Sequence, residues 1–164
     1  MSDSRREVLR RRYLSLGLGE LVAAAVFAGI AFGVVMPKLD TYQDSAALWA
    51  ALVPLLVILV QAGTYWLLAR GWVERAPMPV PLAALYRGFR YLDAGLLLVG
   101  LLGVLVWLPD HVVAAIAVVA VWLFGVVEYV NYFVVRLAYP IRSWAHTIGQ
   151  WRTPRLVHDI NTAR

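Results

Sequence analysis

Apolar residues along the chain fall into four long runs, which are separated by short polar segments. The runs cover residues 21–36, 47–69, 91–108 and 112–135. With a few flanking residues, each run reaches the roughly 20 residues that an α-helix needs to span a bilayer. Backbone polar groups have no other partner in hydrocarbon, so the runs predict transmembrane helices rather than strands. The expected spans cover residues 13–36, 46–69, 86–108 and 111–136.

The connections between the runs are short, so consecutive spans are expected to be antiparallel. The sequence therefore predicts an all-α, polytopic membrane protein with a four-helix antiparallel bundle over residues 13–138. A basic cytoplasmic segment, 1–12, precedes the bundle, and a cytoplasmic region, 139–164, follows it.

Within that last region, apolar residues recur at helical spacing, namely Ile141, Trp144, Ile148 and Trp151. This spacing predicts a short amphipathic helix lying in the cytoplasmic membrane interface. An ordinary cytoplasmic helix packed on the protein's own loops is the alternative. The final twelve residues are more polar, and we expect them to be loosely ordered.

The two halves of the bundle resemble each other in sequence. "RYLSLGL" begins the first span and "RYLDAGL" begins the third, while "VQAGTYWLL" and "VEYVNYFVV" stand near the ends of the second and fourth. This alignment places Gln61 opposite Glu128 and Tyr65 opposite Tyr132. The similarity predicts two related helical hairpins with the same orientation in the membrane. Chance similarity between apolar helices of low complexity is the alternative.

The composition agrees with a membrane protein, and the distribution of charge predicts its orientation in the membrane. The chain is 62% hydrophobic and only 15% charged, which is more apolar than a soluble domain. Fourteen of its fifteen basic residues are arginines, and all fourteen lie within 5–12, 70–90 and 136–164, whereas the opposite side has only Lys38. The positive-inside rule therefore places both termini in the cytoplasm. Because topology explains the net charge of +5, we expect no nucleic-acid partner.

Polar side chains recur on the inner half of three spans. Glu128 lies about 12 Å deeper than Arg136, at 1.5 Å per helical residue. A carboxylate facing lipid would cost at least several kcal/mol, so these side chains should face protein or trapped water. The pattern predicts a polar pocket that opens to the cytoplasm. Its candidate ligand- or ion-binding residues are Glu128, Asn131, Tyr132, Gln61, Tyr65 and Glu20.

Two other features of the spans, an aspartate and a pair of glycines, are not assigned to this pocket. Asp93 lies about 140° around the third span from the position that matches Glu20, so it need not face this pocket, and pairing with Arg90 near the interface is the alternative. Gly29 and Gly33 form a small-residue face on the first span. Such a face lets helices approach closely, and its partner is expected to be either a neighbouring helix or another subunit.

Two functions are compatible with this pattern. The first is binding, and conduction or transport, of a small cationic solute or a proton, with Glu128 as the charged centre. The alternative is a non-catalytic accessory or assembly protein, whose intramembrane polar residues are structural and whose basic inner face docks a partner protein or anionic lipid headgroups.

The expected setting is the bilayer of a bacterial plasma membrane, which the Ala, Val, Leu and Arg bias favours, with assembly into a homo-oligomer or a larger complex. The chain has no cysteine, which excludes disulfides and thiolate chemistry. No sequence motif for a catalytic nucleophile, a phosphate-binding loop or a metal site is present, so we expect no enzyme activity, no cofactor and no metal.

Overall fold

The structure, a computed structural model, describes residues 2–38, 42–135 and 153–163. In this part of the chain there are five α-helices and no strand, which confirms the predicted all-α class there. A π-helical turn, Ala31–Val35, and a 3-10 turn, Met36–Lys38, follow the first helix. The helices are α1 (Ser2–Ile30), α2 (Tyr42–Ala69), α3 (Val80–Val106), α4 (Val112–Phe133) and α5 (Arg155–Asn161). The interfacial helix expected at 141–151 lies outside the described residues.

Four of these helices are long and apolar enough to cross a membrane, as the apolar runs predict. The helix α1 begins at Ser2, so the basic residues near the N-terminus belong to the same helix as the first apolar run. The helix α3 begins around Pro81, where the missing N–H of proline costs no helical hydrogen bond. The candidate spans are Ser4–Val35, Asp44–Ala69, Val80–Val106 and Val112–Phe133.

The second helix is the centre of the fold. In its most apolar window 61% of the residues are buried, against 11% for α1, 22% for α3 and 11% for α4. The helices α1, α3 and α4 each pack against α2. Leu52, Leu55 and Leu59 of α2 are at most 1% exposed. Because lipid is as apolar as leucine, close packing rather than the hydrophobic effect holds such helices together in a bilayer.

Glycines permit the closest approach between α1 and α2. A Cβ atom added to Gly17 would lie 2.9 Å from the Gly63 carbonyl oxygen, and one added to Gly63 would lie 3.0 Å from the Gly17 oxygen. One turn away, the Tyr13 and Trp66 rings meet edge to face, with their centroids 4.9 Å apart. A larger side chain at either glycine would separate the two helices.

A proline and a glycine fix the contact between α2 and α3. Pro54 has no N–H, so the Ala50 carbonyl four residues earlier lacks its usual donor within α2. A Cβ atom on Gly100 of α3 would lie only 2.5 Å from that Ala50 oxygen. The backbone of α3 therefore lies directly against the freed carbonyl, where a Cα–H group can serve as a weak donor.

The outward faces of α1, α3 and α4 are apolar and exposed, with several side chains more than 60% exposed: Phe32, Val99, Leu105, Val112 and Ile116. Gly29 and Gly33 lie on such a face, and a Cβ atom at either would meet nothing within 4 Å. Of the two expected partners of this small-residue face, a neighbouring helix is therefore excluded within the described part of the chain, and another subunit stays a prediction.

Candidate functional site

Two carboxyl groups, Glu20 of α1 and Glu128 of α4, lie near each other. The Tyr132 hydroxyl of α4 donates a hydrogen bond to Oε1 of Glu20 on α1, at 2.5 Å. Glu128, one turn before Tyr132, is hydrogen-bonded to Asn131 and lies close enough to Glu20 for the two charges to repel. Both glutamates are partly buried. This set of four residues, Glu20, Glu128, Asn131 and Tyr132, is called the acid pair site below.

The acid pair site has no basic counter-charge in the part of the chain that the structure describes. The ion pairs found there involve Glu7, Glu74 and Asp159, and neither glutamate of the site. Trp66 supports the site from α2, because its Nε1 donates to the Tyr132 hydroxyl at 3.1 Å. Two neighbouring carboxyls without a cation can share a proton or attract a positive ion.

A second polar contact joins α2 to α3. Gln61 Nε2 donates to Oδ1 of Asp93 at 3.0 Å, and the Tyr86 hydroxyl donates to the Gln61 carbonyl oxygen at 3.0 Å. Asp93 is completely buried, whereas Arg90 is exposed. The expected pairing of Asp93 with Arg90 is therefore wrong. The face of α3 that packs on α2, rather than the alignment of the two halves, determines where Asp93 points.

A third polar contact holds α5 against the end of α2 and the loop that follows it. Oδ2 of Asp159 accepts hydrogen bonds from the Tyr65 hydroxyl at 2.9 Å and from Trp72 Nε1 at 3.1 Å. Its Oδ1 pairs with Arg155 Nε at 2.9 Å. Burial lowers the pKa of the Arg155 guanidinium, but attraction to Asp159, together with Tyr13 and Tyr65, outweighs burial and raises the pKa. The carboxylate is thus neutralised and fully bonded, and Tyr65, Trp72, Arg155 and Asp159 are called the tail contact below.

Apolar side chains also pack α5 against the other helices. Leu156 and Ile160, four residues apart, are 2% and 7% exposed and join the inner cluster formed with Tyr65 and Phe133. Arg87 of α3 donates to the Ile160 carbonyl oxygen at 3.3 Å, which satisfies a carbonyl near the C-terminus of the helix. The expectation of a loosely ordered C-terminal segment is therefore wrong for residues 155–161.

The structure divides the six predicted site residues among three places. Glu20, Glu128, Asn131 and Tyr132 share the acid pair site. Gln61 belongs to the interface between α2 and α3, and Tyr65 belongs to the tail contact. Helical spacing predicted that Gln61 and Tyr65 lie on one face of α2. Because other helices surround α2, residues on that one face meet different neighbours.

Apolar cavities lie away from the three polar contacts. A groove of about 660 Å³ between α2 and α3 is lined by residues that include Ala50, Pro54 and Gly100. A cleft of about 270 Å³ between α1, α2 and α4 is lined by residues that include Phe27 and Val121. Neither cavity contains any of the six predicted site residues.

Sequence reasoning missed several partners of the polar residues. Trp66 and Trp72 were not among the predicted site residues, and both donate hydrogen bonds to groups of the bundle. Asp159 lay in a segment that looked soluble. The signal for its burial was the pair Leu156 and Ile160 at i and i+4, which places Asp159 beside an apolar stripe.

Comparison with family models, with curated proteins and with solved structures found no match to this chain. Within the residues described, no group of three or more His, Asp or Glu side chains is placed to hold a metal ion. Any functional inference therefore depends on the three polar contacts themselves.

Proposed function

We propose that the chain is a membrane protein that binds a proton or a small cationic solute at the acid pair site. Conduction or transport of that ion is part of the proposal. The observation that carries it is the proximity of Glu20 and Glu128, each partly buried, with no basic side chain paired to either in the residues described. Two like charges in a medium of low dielectric constant repel strongly, so a bound proton or cation would stabilise them.

The proposed setting is a plasma membrane that the four long helices cross as an antiparallel bundle, with both termini in the cytoplasm. Exposed apolar faces on α1, α3 and α4 support insertion in lipid. Tyr13, early in α1, contacts Trp66, late in α2, and Phe32 contacts Trp49, early in α2, which supports opposite directions for these helices. The arginine distribution supports the orientation.

The depth of the acid pair supports access from the cytoplasmic side. Glu20 and Glu128 lie on the arginine-rich half of their helices, whereas residues 21–35 and 112–126 contain no charged residue. Apolar packing of α1 on α2 at Ala24, Leu52 and Leu55 lies outward of the site. An ion at the site would therefore exchange with the cytoplasm more readily than with the other side.

A second function, that of a non-catalytic accessory or assembly protein, is favoured by a different observation. Tyr65, Tyr132 and Gln61 each form a hydrogen bond to another helix, as structural ties within a bundle do. In this alternative the basic inner surface docks a partner protein or anionic lipid headgroups, and Glu128 has no role in binding ions.

Glu128→Gln separates the two functions, because it keeps the shape and the hydrogen-bonding atoms but removes the charge. We expect the variant to fold and to lose stabilisation by monovalent cations and by protons. The measurement is the melting temperature of the purified protein in detergent across pH and cation type, followed by ion flux into vesicles that contain the protein.

Glu7→Gln is the matched control, since it removes the same charge from an exposed position on α1. It should behave like the parent protein in both assays. An identical cation and pH response in the parent and in Glu128→Gln would exclude ion binding at the acid pair site and favour the accessory function.

A further inference from the structure

The buried contact between Gln61 and Asp93 contains two acceptor atoms without a donor. Gln61 Nε2 donates to Asp93 Oδ1, but Asp93 Oδ2 and Gln61 Oε1 are buried and have no hydrogen-bond partner in the residues described. Asp93 itself is completely buried. A buried polar atom without a partner costs about 1–3 kcal/mol, and more where the group is charged. The contact as an ionised carboxylate and an amide is therefore incomplete.

One added proton would satisfy both atoms. An ionised carboxylate only accepts hydrogen bonds, whereas a carboxylic acid also has one O–H donor. A proton on Oδ2 would turn that atom into a donor facing the Gln61 side chain, whose Oε1 is an acceptor. The acid and the amide would then form two reciprocal hydrogen bonds. A metal ion or a solute would need space around Oδ2, but a proton needs none.

The charged and titratable groups on the elements packed around Asp93 make their contacts elsewhere. From α2, Tyr65 bonds to Asp159, and from α4, Glu128 bonds to Asn131. On α3 itself, Arg90 is exposed. Also on α3, the Tyr86 hydroxyl is bonded to the Gln61 carbonyl and the Arg87 guanidinium to the Ile160 carbonyl. On α4, the Tyr132 hydroxyl is bonded to Glu20. On α5, Arg155 pairs with Asp159.

We propose that Asp93 is a proton-binding site, in which the neutral acid forms a reciprocal pair with the Gln61 amide and ties α3 to α2. The proton comes from water and returns to water, and no bond other than O–H forms or breaks. Release of the proton would leave a charge in a dry helix contact and would weaken the packing of α3 on α2. This site lies in a different helix interface from the acid pair site, and the inference does not depend on the function proposed for that site.

Infrared spectroscopy of the full-length protein tests the protonation directly. A carboxylic acid has a C=O stretching band that a carboxylate lacks. We expect the difference spectrum between the parent and Asp93→Asn to contain that band at pH 5, where an ordinary aspartate is ionised. The band should persist in a protein that carries both Glu20→Gln and Glu128→Gln. The test of Asp93 therefore gives its answer whether or not the acid pair site binds an ion. A difference spectrum with only carboxylate bands would overturn the proposal.

Thermal unfolding gives a second measurement. In a background that carries Glu20→Gln and Glu128→Gln, which removes the other proposed proton site, the folded protein would hold the Asp93 proton that the unfolded chain releases. This background should lose about 3–5 °C of melting temperature per pH unit between the ordinary range of aspartate and the pH at which the folded Asp93 ionises. Adding Asp93→Asn should abolish this slope, because an asparagine amide can form the same reciprocal pair with Gln61. Asp110→Asn, in an exposed turn, is the control and should retain the slope.

A third variant covers the case in which Asp93→Asn fails to fold. Gln61→Leu keeps the Asp93 acid but removes its amide partner, so the acid band should move to the frequency of a free carboxylic acid. An unmoved band in Gln61→Leu, or a parent whose stability rises with pH while Asp93→Asn is destabilised, would refute the pairing.

Discussion

Tyr65 and Tyr132 stand at matching positions near the ends of α2 and α4, and each donates its hydroxyl to a carboxylate from another helix. Tyr65 meets Asp159 of α5, and Tyr132 meets Glu20 of α1. A tryptophan Nε1 supports each contact as well. The two contacts differ in charge, because Arg155 neutralises Asp159, while Glu20 faces a second acid, Glu128.

This difference separates structural carboxylates from functional candidates in the same molecule. Asp159 is 4% exposed, has a partner for each oxygen and lies beside a cation, so further binding would gain nothing. Glu20 and Glu128 are more exposed and have a charge that the described residues do not balance. The same pair of side-chain types, a phenol and a carboxylate, thus ties helices together at one place and forms the proposed ion site at the other.

The largest expected effect comes from breaking the tail contact. Asp159→Ala leaves the buried Tyr65 hydroxyl and Trp72 Nε1 without acceptors, and Arg155 without its partner. We expect a loss of about 3 kcal/mol in the stability of the seated α5. Hydrogen exchange of the α5 amides measures it, because release of the helix removes their protection.

Two controls belong with that variant. His158→Ala, on the exposed side of α5, should change stability by less than about 0.5 kcal/mol. The acid pair site should keep its cation and pH response in Asp159→Ala. A loss of that response would show that the two contacts form one coupled unit.

An intermediate effect is expected from separating α1 from α2. In Gly17→Ala the new Cβ would lie 2.9 Å from the Gly63 oxygen and from Leu67 Cγ, so the helices must shift. We expect a destabilisation of about 1–3 kcal/mol, as for other overpacked interfaces. Because Glu20 lies three residues later on α1, the cation response of the acid pair should weaken, whereas α5 should stay protected.

Gly19→Ala is the matched control, since a Cβ atom there would meet nothing within 4 Å. It should preserve both the stability and the cation response. An equal loss of stability in Gly17→Ala and Gly19→Ala would mean that α1 tolerates no side chain at either glycine. The close contact between Gly17 and Gly63 would then not explain the destabilisation.

The smallest effect distinguishes the two tyrosines. Tyr65→Phe and Tyr132→Phe each remove one hydrogen bond to a carboxylate, with an expected cost of about 1–2 kcal/mol. Only Tyr132→Phe should change the dependence of the melting temperature on cations and pH, because only Tyr132 contacts the acid pair. An equal change in Tyr65→Phe would contradict the division of roles.

The four long helices were predictable because their apolar runs are long and their composition is extreme. The second run predicted a span at 46–69, and α2 covers Tyr42–Ala69. Helical spacing also placed Glu128 and Tyr132 on one face, and the structure brings both to the acid pair site. Length and periodicity are local properties, and the sequence contains them directly.

The partners of the polar residues were less predictable. Gln61 and Tyr65 lie on one stripe of α2, yet one bonds to α3 and the other to α5. Periodicity along a helix gives the direction of a side chain but not the identity of the helix that it meets. For Asp93, the alignment of the halves agreed with a position away from Glu20, but it could not identify Gln61 as the partner, because that contact depends on how α3 packs on α2.

The position of α5 in the chain has a consequence for biosynthesis. Tyr65 and Asp159 are separated by 94 residues, so a ribosome adding 5 to 20 residues per second makes the tyrosine about 5–20 s before its acceptor. During that interval the hydroxyl of Tyr65 and the indole of Trp72 must use water or lipid headgroups as temporary partners. The end of the bundle that contains Tyr65 and Trp72 can therefore reach its final packing only after translation has passed Asp159. A nascent chain that stopped earlier would leave both aromatic side chains without the cover of α5.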